Sequence, residues 1–488
     1  PKAKLTVKIP EGFAFYALFP EQYALAANDW SQAHQQFSSR RVLLVGIRSI
    51  GTSLSAVVTA MLRALGWEAQ RLTVRPHGHP FRREVQMDPA SLQQIDWALV
   101  IDEGPGASGS SMAAVAATLC GIGVSPAHIS FLPGHAHGPG VSANAEVRSW
   151  WSTIPQFVVA LQRVRWQNHS IERTLALQTQ KLLHLAENIE VIDLSAGKWR
   201  EVAFASTSDW PAVAPQFERM KFLCRSREGP AILWKFFGLA ISPDSSWNLS
   251  QAVAATMRKR AKRLKIPGPL GVCHGFVGTP WITGQRLRAI DSIVPHLLEK
   301  LARYIAFSAG KPLTEVDARS SLARLSNMLF HNTGESLGEN VAELTRELSR
   351  VITPPIGIPR YSDGQMAPHE WVRTTPGELV KTNCTGHDCD HTLIGPQPIH
   401  WDVVGTIVEW DLKEDMIKPF LGHLDRDGFH FAPVELAFYT AAYAAFRLGA
   451  CRLATTFSDP RECERLERAA KYYEDQLRTT LATALQPA

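Results

Sequence analysis

Cysteine is scarce: the 488 residues hold seven, at Cys120, Cys224, Cys273, Cys384, Cys389, Cys451 and Cys463. An odd, scattered set speaks against a disulfide framework and for a reducing compartment. Also missing is any apolar run near the ~18–20 residues that a membrane helix needs, and the first residues carry no signal-peptide core. These absences predict a cytoplasmic protein with no membrane partner. Charge of one sign is not in excess either. Lys plus Arg number 51 against 46 Asp plus Glu, a net +5, too mild to imply nucleic-acid binding by itself. No internal repeat and no low-complexity tract breaks the text. What remains is ordinary for a globular chain, 45% hydrophobic and 20% charged, long enough for about two to four domains.

The text divides four ways. Residues 1–40 mix aromatics with a helical stretch, Glu21 to Gln36, and read as a lead-in. Residues 41–150 alternate strand and helix: strands at Arg41 to Gly46, Arg71 to Val74, Trp97 to Ile101 and His128 to Leu132, with helices at Thr52 to Gly66 and Ser111 to Gly123. Strands joined by crossover helices predict a parallel sheet covered on both faces. Residues 151–190 read as long helices, a connector. From 191 to 488 the pattern is α+β, with an expected hairpin (Arg219 to Cys224, Ala231 to Phe237) turned at Arg227-Glu-Gly-Pro230. Further strands are expected within Gly271 to Trp281, and helix-rich text fills 285–350. A loop-rich stretch runs from Thr353 to Trp410 before the closing helices.

The most informative words are Ala98-Leu-Val-Ile-Asp-Glu-Gly-Pro-Gly-Ala-Ser-Gly-Ser-Ser111. An apolar strand runs into two acids, then a loop of small residues, then a helix. Backbone N–H groups at a helix start form an anion site without a cationic side chain, and glycines let a phosphate approach closely. Asp102 and Glu103 stand where a ribose attached to that phosphate would present its hydroxyls. The plainer alternative is a structural glycine-rich turn.

This arrangement resembles the phosphoribosyl pyrophosphate (PRPP) signature of type I phosphoribosyltransferases. The resemblance implies that Asp102 and Glu103 are the catalytic acids on the ribose, and that Ala107, Ser108, Gly109, Ser110 and Ser111 cradle its 5-phosphate. Gly104-Pro105-Gly106 departs from the family, which often carries β-branched or hydroxyl residues there. Val45-Gly-Ile-Arg-Ser-Ile-Gly51 lies where the family keeps its pyrophosphate loop, so Ile47, Arg48, Ser49 and Gly51 fall to that role. Arg48 suits a two-pronged contact to pyrophosphate oxygens. The basic stretch Arg75 to Arg83 reads as a solvated loop or as a further cationic wall. Mg2+ is implied as a cofactor carried mainly by PRPP oxygens and water. Domains of this resemblance are commonly homodimers.

Residues Arg219 to Leu287 resemble the small lobe of aminoglycoside-phosphotransferase and protein-kinase-like enzymes, with Trp281-Ile-Thr-Gly-Gln-Arg-Leu287 as the linker. The resemblance makes Lys235 a nucleotide-phosphate ligand, Asp363 the catalytic base within Tyr361 to Trp371, and Asp402 a structural anchor. It makes Asn383, Asp388 and Asp390 the metal side of the cleft. Three departures stand beside this: Pro368 lies where a metal-binding Asn is expected, the strand Glu378 to Asn383 ends in Asn, and no Glu between Trp247 and Ile266 pairs with Lys235. The cluster Cys384-Thr-Gly-His-Asp-Cys-Asp-His391 reads alternatively as a structural metal loop or a polar loop. Arg258 to Lys265 sets six cations in eight residues, read as a solvated helix or as a surface for nucleic acid or a phosphorylated partner.

The expectation is therefore an α/β protein: a parallel-sheet phosphoribosyltransferase fold, then an α+β, two-lobe kinase-like domain. As a bifunctional transferase it would move phosphoribosyl groups to or from a base-like acceptor and use ATP on a nucleoside or related small molecule. The alternative is a PRPP- or nucleotide-sensing regulator with a degenerate kinase lobe.

Overall fold

The computed structural model of the protein describes residues 9–37, 40–88, 95–186, 188–227, 229–239, 248–289, 291, 295–361, 363–375, 377–385, 395 and 397–484. The chain forms two compact units, one of Pro1–Val191 with Gly238–Leu249, the other of Ile192–Phe237 with Ser250–Ala488. No helix among the described residues is long and apolar enough to cross a membrane.

In the first unit the elements run α1 (Glu11–Ala14), α2 (Pro20–Ala33), β1 (Arg41–Ile47), α3 (Gly51–Ala64), β2 (Glu68–Val74), the small hairpin β3 (His77–His79) and β4 (Arg82–Glu84), then β5 (Trp97–Ile101), α4 (Ser110–Gly121), β6 (Ile129–Leu132), α5 (Ala145–Thr153) and α6 (Ile171–Leu183). β1, β2, β5 and β6 form the expected parallel sheet, in the order β2-β1-β5-β6. β1 and β5 are buried over almost their whole length, as befits central strands with both faces covered. One core layer gathers Leu54, Val58, Leu62, Leu44 and Leu99 under α2 and α3; the other gathers Met112, Val115, Leu119, Val45 and Val100 under α4.

The lead-in belongs to the first of these layers. Trp30 of α2 is fully buried, packs at 4.6 Å from Trp67, and donates its indole N–H to Ser130 Oγ at 3.2 Å. The stretch 151–190 is not continuous helix. Pro155 has no N–H to extend α5 and disfavours helical backbone before it. Phe131 N bonds Pro155 O and Phe157 N bonds Phe131 O, so the chain runs extended beside β6 here, then passes through a 3-10 turn at Leu161–Arg163 before α6.

The second unit carries β7 (Glu190–Asp193), α7 (Trp199–Ala203), β8 (Lys221–Arg225), β9 (Ala231–Phe236), α8 (Leu249–Ala261), β10 (Gly271–Cys273), β11 (Phe276–Pro280) and β12 (Gln285–Arg286). There follow α9 (Pro295–Ser308), α10 (Glu315–Leu337), α11 (Glu339–Arg350), β13 (Trp371–Arg373), β14 (Leu379–Lys381), α12 (His400–Glu409), α13 (Glu414–Arg426), α14 (Pro433–Thr455) and α15 (Pro460–Ala484). Its sheet has the order β10-β11-β9-β8-β7, with β8, β9, β10 and β11 paired antiparallel. The hairpin expected around 219–237 is β8–β9, with Lys221 opposite Lys235. A second sheet, β12-β13-β14, is small. The small buried side chains Ala441, Ala442, Ala444 and Ala445 let α14 pack closely in a helical core with Leu325, Trp401 and Leu477. Arg200 and Glu462, both buried, pair at 2.9 Å and tie α7 to the start of α15.

Replacing Trp30 by Ala is expected to cost about 3–5 kcal/mol of unfolding free energy in a urea titration, the usual range for a buried large aromatic. A loss below about 1 kcal/mol would place α2 outside the core.

Candidate functional sites

The strand order fixes where the first unit can hold a ligand. α3 carries the chain from β1 to β2 on one side, and α4 carries it from β5 to β6 on the other. The C-terminal ends of β1 and β5 therefore flank a switch point, the crevice where open α/β sheets bind ligands. Gly46 pairs with Ile101 across this pair of strands. The loops that follow them, Arg48 to Gly51 and Asp102 to Gly109, thus start side by side.

Each loop has the backbone that its glycines permit. A Cβ on Gly46 would meet Gly51 O at 2.2 Å, and one on Gly51 would meet Ile101 O at 2.6 Å. Only glycine lets the first loop fold this tightly over the strand ends. Arg48 is exposed, its N bonds Val74 O at 2.8 Å, and its Nε donates to Thr73 Oγ1 at 3.1 Å. Ser49 accepts from Thr52 N at 3.2 Å through its carbonyl. In the second loop Gly109 has φ 61° and caps α4 with no side-chain bond. The first helical bond there is Ala113 N to Gly109 O, at 3.4 Å, so the amides of Ser110, Ser111 and Met112 lie ahead of the helical ladder. Such amides gather partial positive charge. Ser108 and Ser110 join their hydroxyls at 3.0 Å, Ser110 Oγ donates to Pro80 O at 2.6 Å, and Ala107 O accepts from Gly140 N at 2.9 Å. The basic stretch 75–83 thus includes a hairpin held onto the start of α4 through Pro80.

Asp102 and Glu103 follow β5, both half-buried. Glu103 Oε2 accepts the Gly12 amide at 2.6 Å, and Asp102 O accepts the Tyr23 hydroxyl at 2.7 Å. Burial, and then the neighbouring Glu103, push the Asp102 carboxyl up to about 8. An acid with so high a pKa can be neutral in the empty crevice and ionise when hydrogen-bond donors or cations arrive.

In the second unit a cavity of about 890 Å3 is lined by Lys221, Lys235, Arg286, Glu370 and Asn383, among others. Lys235 donates to Asn383 Oδ1 at 2.8 Å, and Asn383 Nδ2 donates to Glu370 Oε1 at 2.7 Å. Burial, then the facing Lys221 and Arg219, push the Lys235 ammonium down to about 7. Burial also lowers Arg286 to about 10 and His369 to about 3. The lining carries carboxylates as well: Glu218 lies 3.2 Å from Lys221 Nζ, and Glu370 accepts from the Asn383 amide.

Behind it lies a fully buried ionic cluster. Asp363 accepts the Tyr304 hydroxyl at 2.5 Å and lies 3.2 Å from Lys381 Nζ; Lys381 also bonds Glu370 Oε2 and, at 2.5 Å, Asn383 O. Burial opposes the Lys381 charge, but Asp363 and Glu370 outweigh it and raise the pKa. Asp402 accepts from Gly364 N at 2.8 Å and Asp363 N at 3.4 Å, anchoring the loop.

Of the residues singled out in the sequence, Lys235, Asn383 and Asp363 come into one neighbourhood. Asn383 has both amide atoms engaged by protein, and Asp363 is closed off from solvent. Asp388 and Asp390, with Cys389, His387 and His391, lie outside the described residues. Among the described residues no group of three or more His, Cys, Asp or Glu is placed to hold a metal ion. Sequence reasoning missed Tyr304, Glu370 and Lys381, which no spacing marks. It also missed Arg260, which leaves the basic helix face to donate to Cys384 O at 2.7 Å.

No family model matches the sequence, and no curated protein matches it. Among solved structures, the chain is similar to the choline kinase LicA from Streptococcus pneumoniae, with TM-score 0.39 and 13% identity over 62% of this chain and 99% of that one. It is similar also to an ethanolamine kinase from Plasmodium vivax, with TM-score 0.39 and 8% identity over 70% of this chain and 97% of that one. A shorter likeness joins 30% of this chain to 82% of the hypoxanthine-guanine phosphoribosyl transferase of L. donovani, with TM-score 0.23 and 9% identity. All three likenesses are distant, and the chemistry of each site rests on its own residues.

Two measurements follow from the electrostatics. The Asp102 pKa is raised on folding, so the folded state holds a proton that the unfolded state has lost between about 4 and 8, and stability falls as pH rises through that window. Asp102→Asn removes this burden. The variant should be more stable than wild type by about 1–3 kcal/mol near pH 8 in urea titrations, with the gap closing toward pH 4. At Lys235 the sign is reversed, because burial lowers the ammonium pKa to about 7, and an anion in the cavity would raise it again. ADP binding near pH 8 should take up close to one proton, read by calorimetry in buffers of different ionisation enthalpy, and Lys235→Met should abolish the uptake.

Proposed function

We propose that the protein is a transferase organised around a phosphorylated ribose: the first unit takes PRPP and transfers its ribose 5-phosphate to or from a base-like acceptor. The second unit is a kinase-like module whose cleft takes a nucleotide such as ATP. The observation that carries the reading is the pairing of two anion-ready loops at one switch point, with two carboxylates between sheet and helix.

In this reading the amides of Ser110, Ser111 and Met112, with the Ser108 hydroxyl, hold the 5-phosphate. Asp102 and Glu103 orient the ribose through its hydroxyls, and Arg48 with the Ser49–Gly51 backbone takes the pyrophosphate. The ribose carbon–oxygen bond to pyrophosphate breaks as the carbon–nitrogen bond to the base forms, through a cation-like sugar. Preorganised donors on the leaving pyrophosphate supply most of the stabilisation. The pair of acids is too small a donor set for an all-protein metal cage; Mg2+ carried on PRPP would be held mainly by its oxygens and would supply charge neutralisation there.

One observation favours a second reading, in which the protein senses PRPP or a nucleotide. Asp363, the expected base of the kinase-like module, is already engaged by Tyr304 and Lys381. Pyrophosphate release from labelled PRPP over a panel of purine and pyrimidine bases separates the two. The transferase reading expects release with at least one base, reduced about 100-fold or more in Asp102→Asn/Glu103→Gln. Tight PRPP binding with no release for any base would favour the sensor, and no PRPP binding would sink the transferase reading and leave only a nucleotide sensor.

A further inference from the structure

We propose that Lys381 holds the place of a divalent cation in the second unit, so that its cleft takes a phosphate-bearing ligand as the metal-free anion. The ligand half of this inference rests on the nucleotide reading of the cleft; the cation half stands without it.

The donor set decides the matter. A lysine ammonium has three directed hydrogens, and Lys381 meets three oxygens: Asp363 Oδ2 at 3.2 Å, Glu370 Oε2, and Asn383 O at 2.5 Å. These groups come from three places, the loop that Asp402 anchors, the turn before β13, and the end of β14. They converge as ligands around an ion would, yet the ion is covalently part of the chain. Tyr304 and the Asn383 amide supply further hydrogen bonds to the same two carboxylates. Mg2+ demands near-octahedral oxygens at about 2.0–2.1 Å. Placing it among these oxygens would set a dication against a buried ammonium, with the Asn383 side-chain oxygen already taken by Lys235. The described residues therefore do not fit the metal that a kinase-like cleft implies.

The cavity wall carries what a metal-free anion needs. Lys221, Lys235 and Arg286 line it, and Lys235 and Lys221 sit opposite each other in the β8–β9 register. In active phosphoryl-transfer sites the metal bridges phosphate oxygens and protein carboxylates. Here Lys381 serves the carboxylates and Glu218 holds Lys221 at 3.2 Å, which leaves Lys235 and Arg286 on the cavity wall for the phosphates.

The test counts ions on the full chain. Equilibrium dialysis with Mn2+ should show Lys381→Met binding one equivalent more than wild type, because the vacated oxygens then suit a divalent ion. Equal counts would overturn the proposal. Should that variant fail to fold, wild type decides. Its unfolding midpoint should move by less than about 1 °C between EDTA and excess Mg2+, and a rise of several degrees would count against Lys381. ADP should bind wild type within about 3-fold equally in EDTA and in Mg2+, whereas tightening by Mg2+ of about 10-fold or more would overturn the metal-free ligand. If ADP binds in neither medium, the nucleotide reading fails, and the Mn2+ count and the midpoint still judge Lys381.

Discussion

Two carboxylates removed from water need a cation within reach, and most of the second unit's cleft is arranged by that need. Desolvating an ionised carboxylate costs several kcal/mol even after relaxation. Asp363 and Glu370 are both buried, and the Lys381 side chain between them is fully buried too. Removing the cation would leave two like charges facing each other in a poorly polarisable setting. The positions of β13, β14 and the Asp363 loop are therefore coupled: none can shift far without uncovering an unpaired charge.

The first unit handles charge differently. The anion site proposed for it is drawn from backbone amides at the start of α4 and from a tight glycine turn after β1, so that reading requires no buried cation. The geometry depends on closeness instead. Gly46 and Gly51 bring one loop down onto the strand ends, and Gly109 in a left-handed conformation turns the other into its helix. Parallel pairing of β1 with β5 sets the two loops side by side. Chain order alone, with β2 on one side and β5 on the other, then opens the crevice between them.

The parallel sheet was legible because its strands are short apolar runs bounded by glycine-closed helices, a pattern that local physics writes directly. All four strand positions and both crossover helices lie within a few residues of those expected. The β8–β9 hairpin was legible from its turn residues. Illegible were groups whose meaning arises only from long-range convergence. Tyr304 on α9 meets Asp363 across 59 positions, and Arg260 meets Cys384 across 124. Lys381 reads in sequence as an ordinary polar residue on a short strand. The stretch after Thr153 misled because its composition suits helix while Pro155 breaks the backbone ladder. Trp30 was expected only in a lead-in, yet its indole anchors a core layer.

The bond from the Gly12 amide to Glu103 has a consequence for how the first site fills. One oxygen of the acid pair is spoken for by a donor that belongs to the same molecule and is always nearby. In the proposed reading, a ribose hydroxyl seeking that oxygen must displace a tethered competitor whose effective concentration does not fall on dilution. Apparent affinity is then the intrinsic affinity multiplied by the fraction of molecules in which the tethered bond is open. Loading of the crevice is in this way coupled to the backbone around Gly12, tens of residues before the strand that carries the acids.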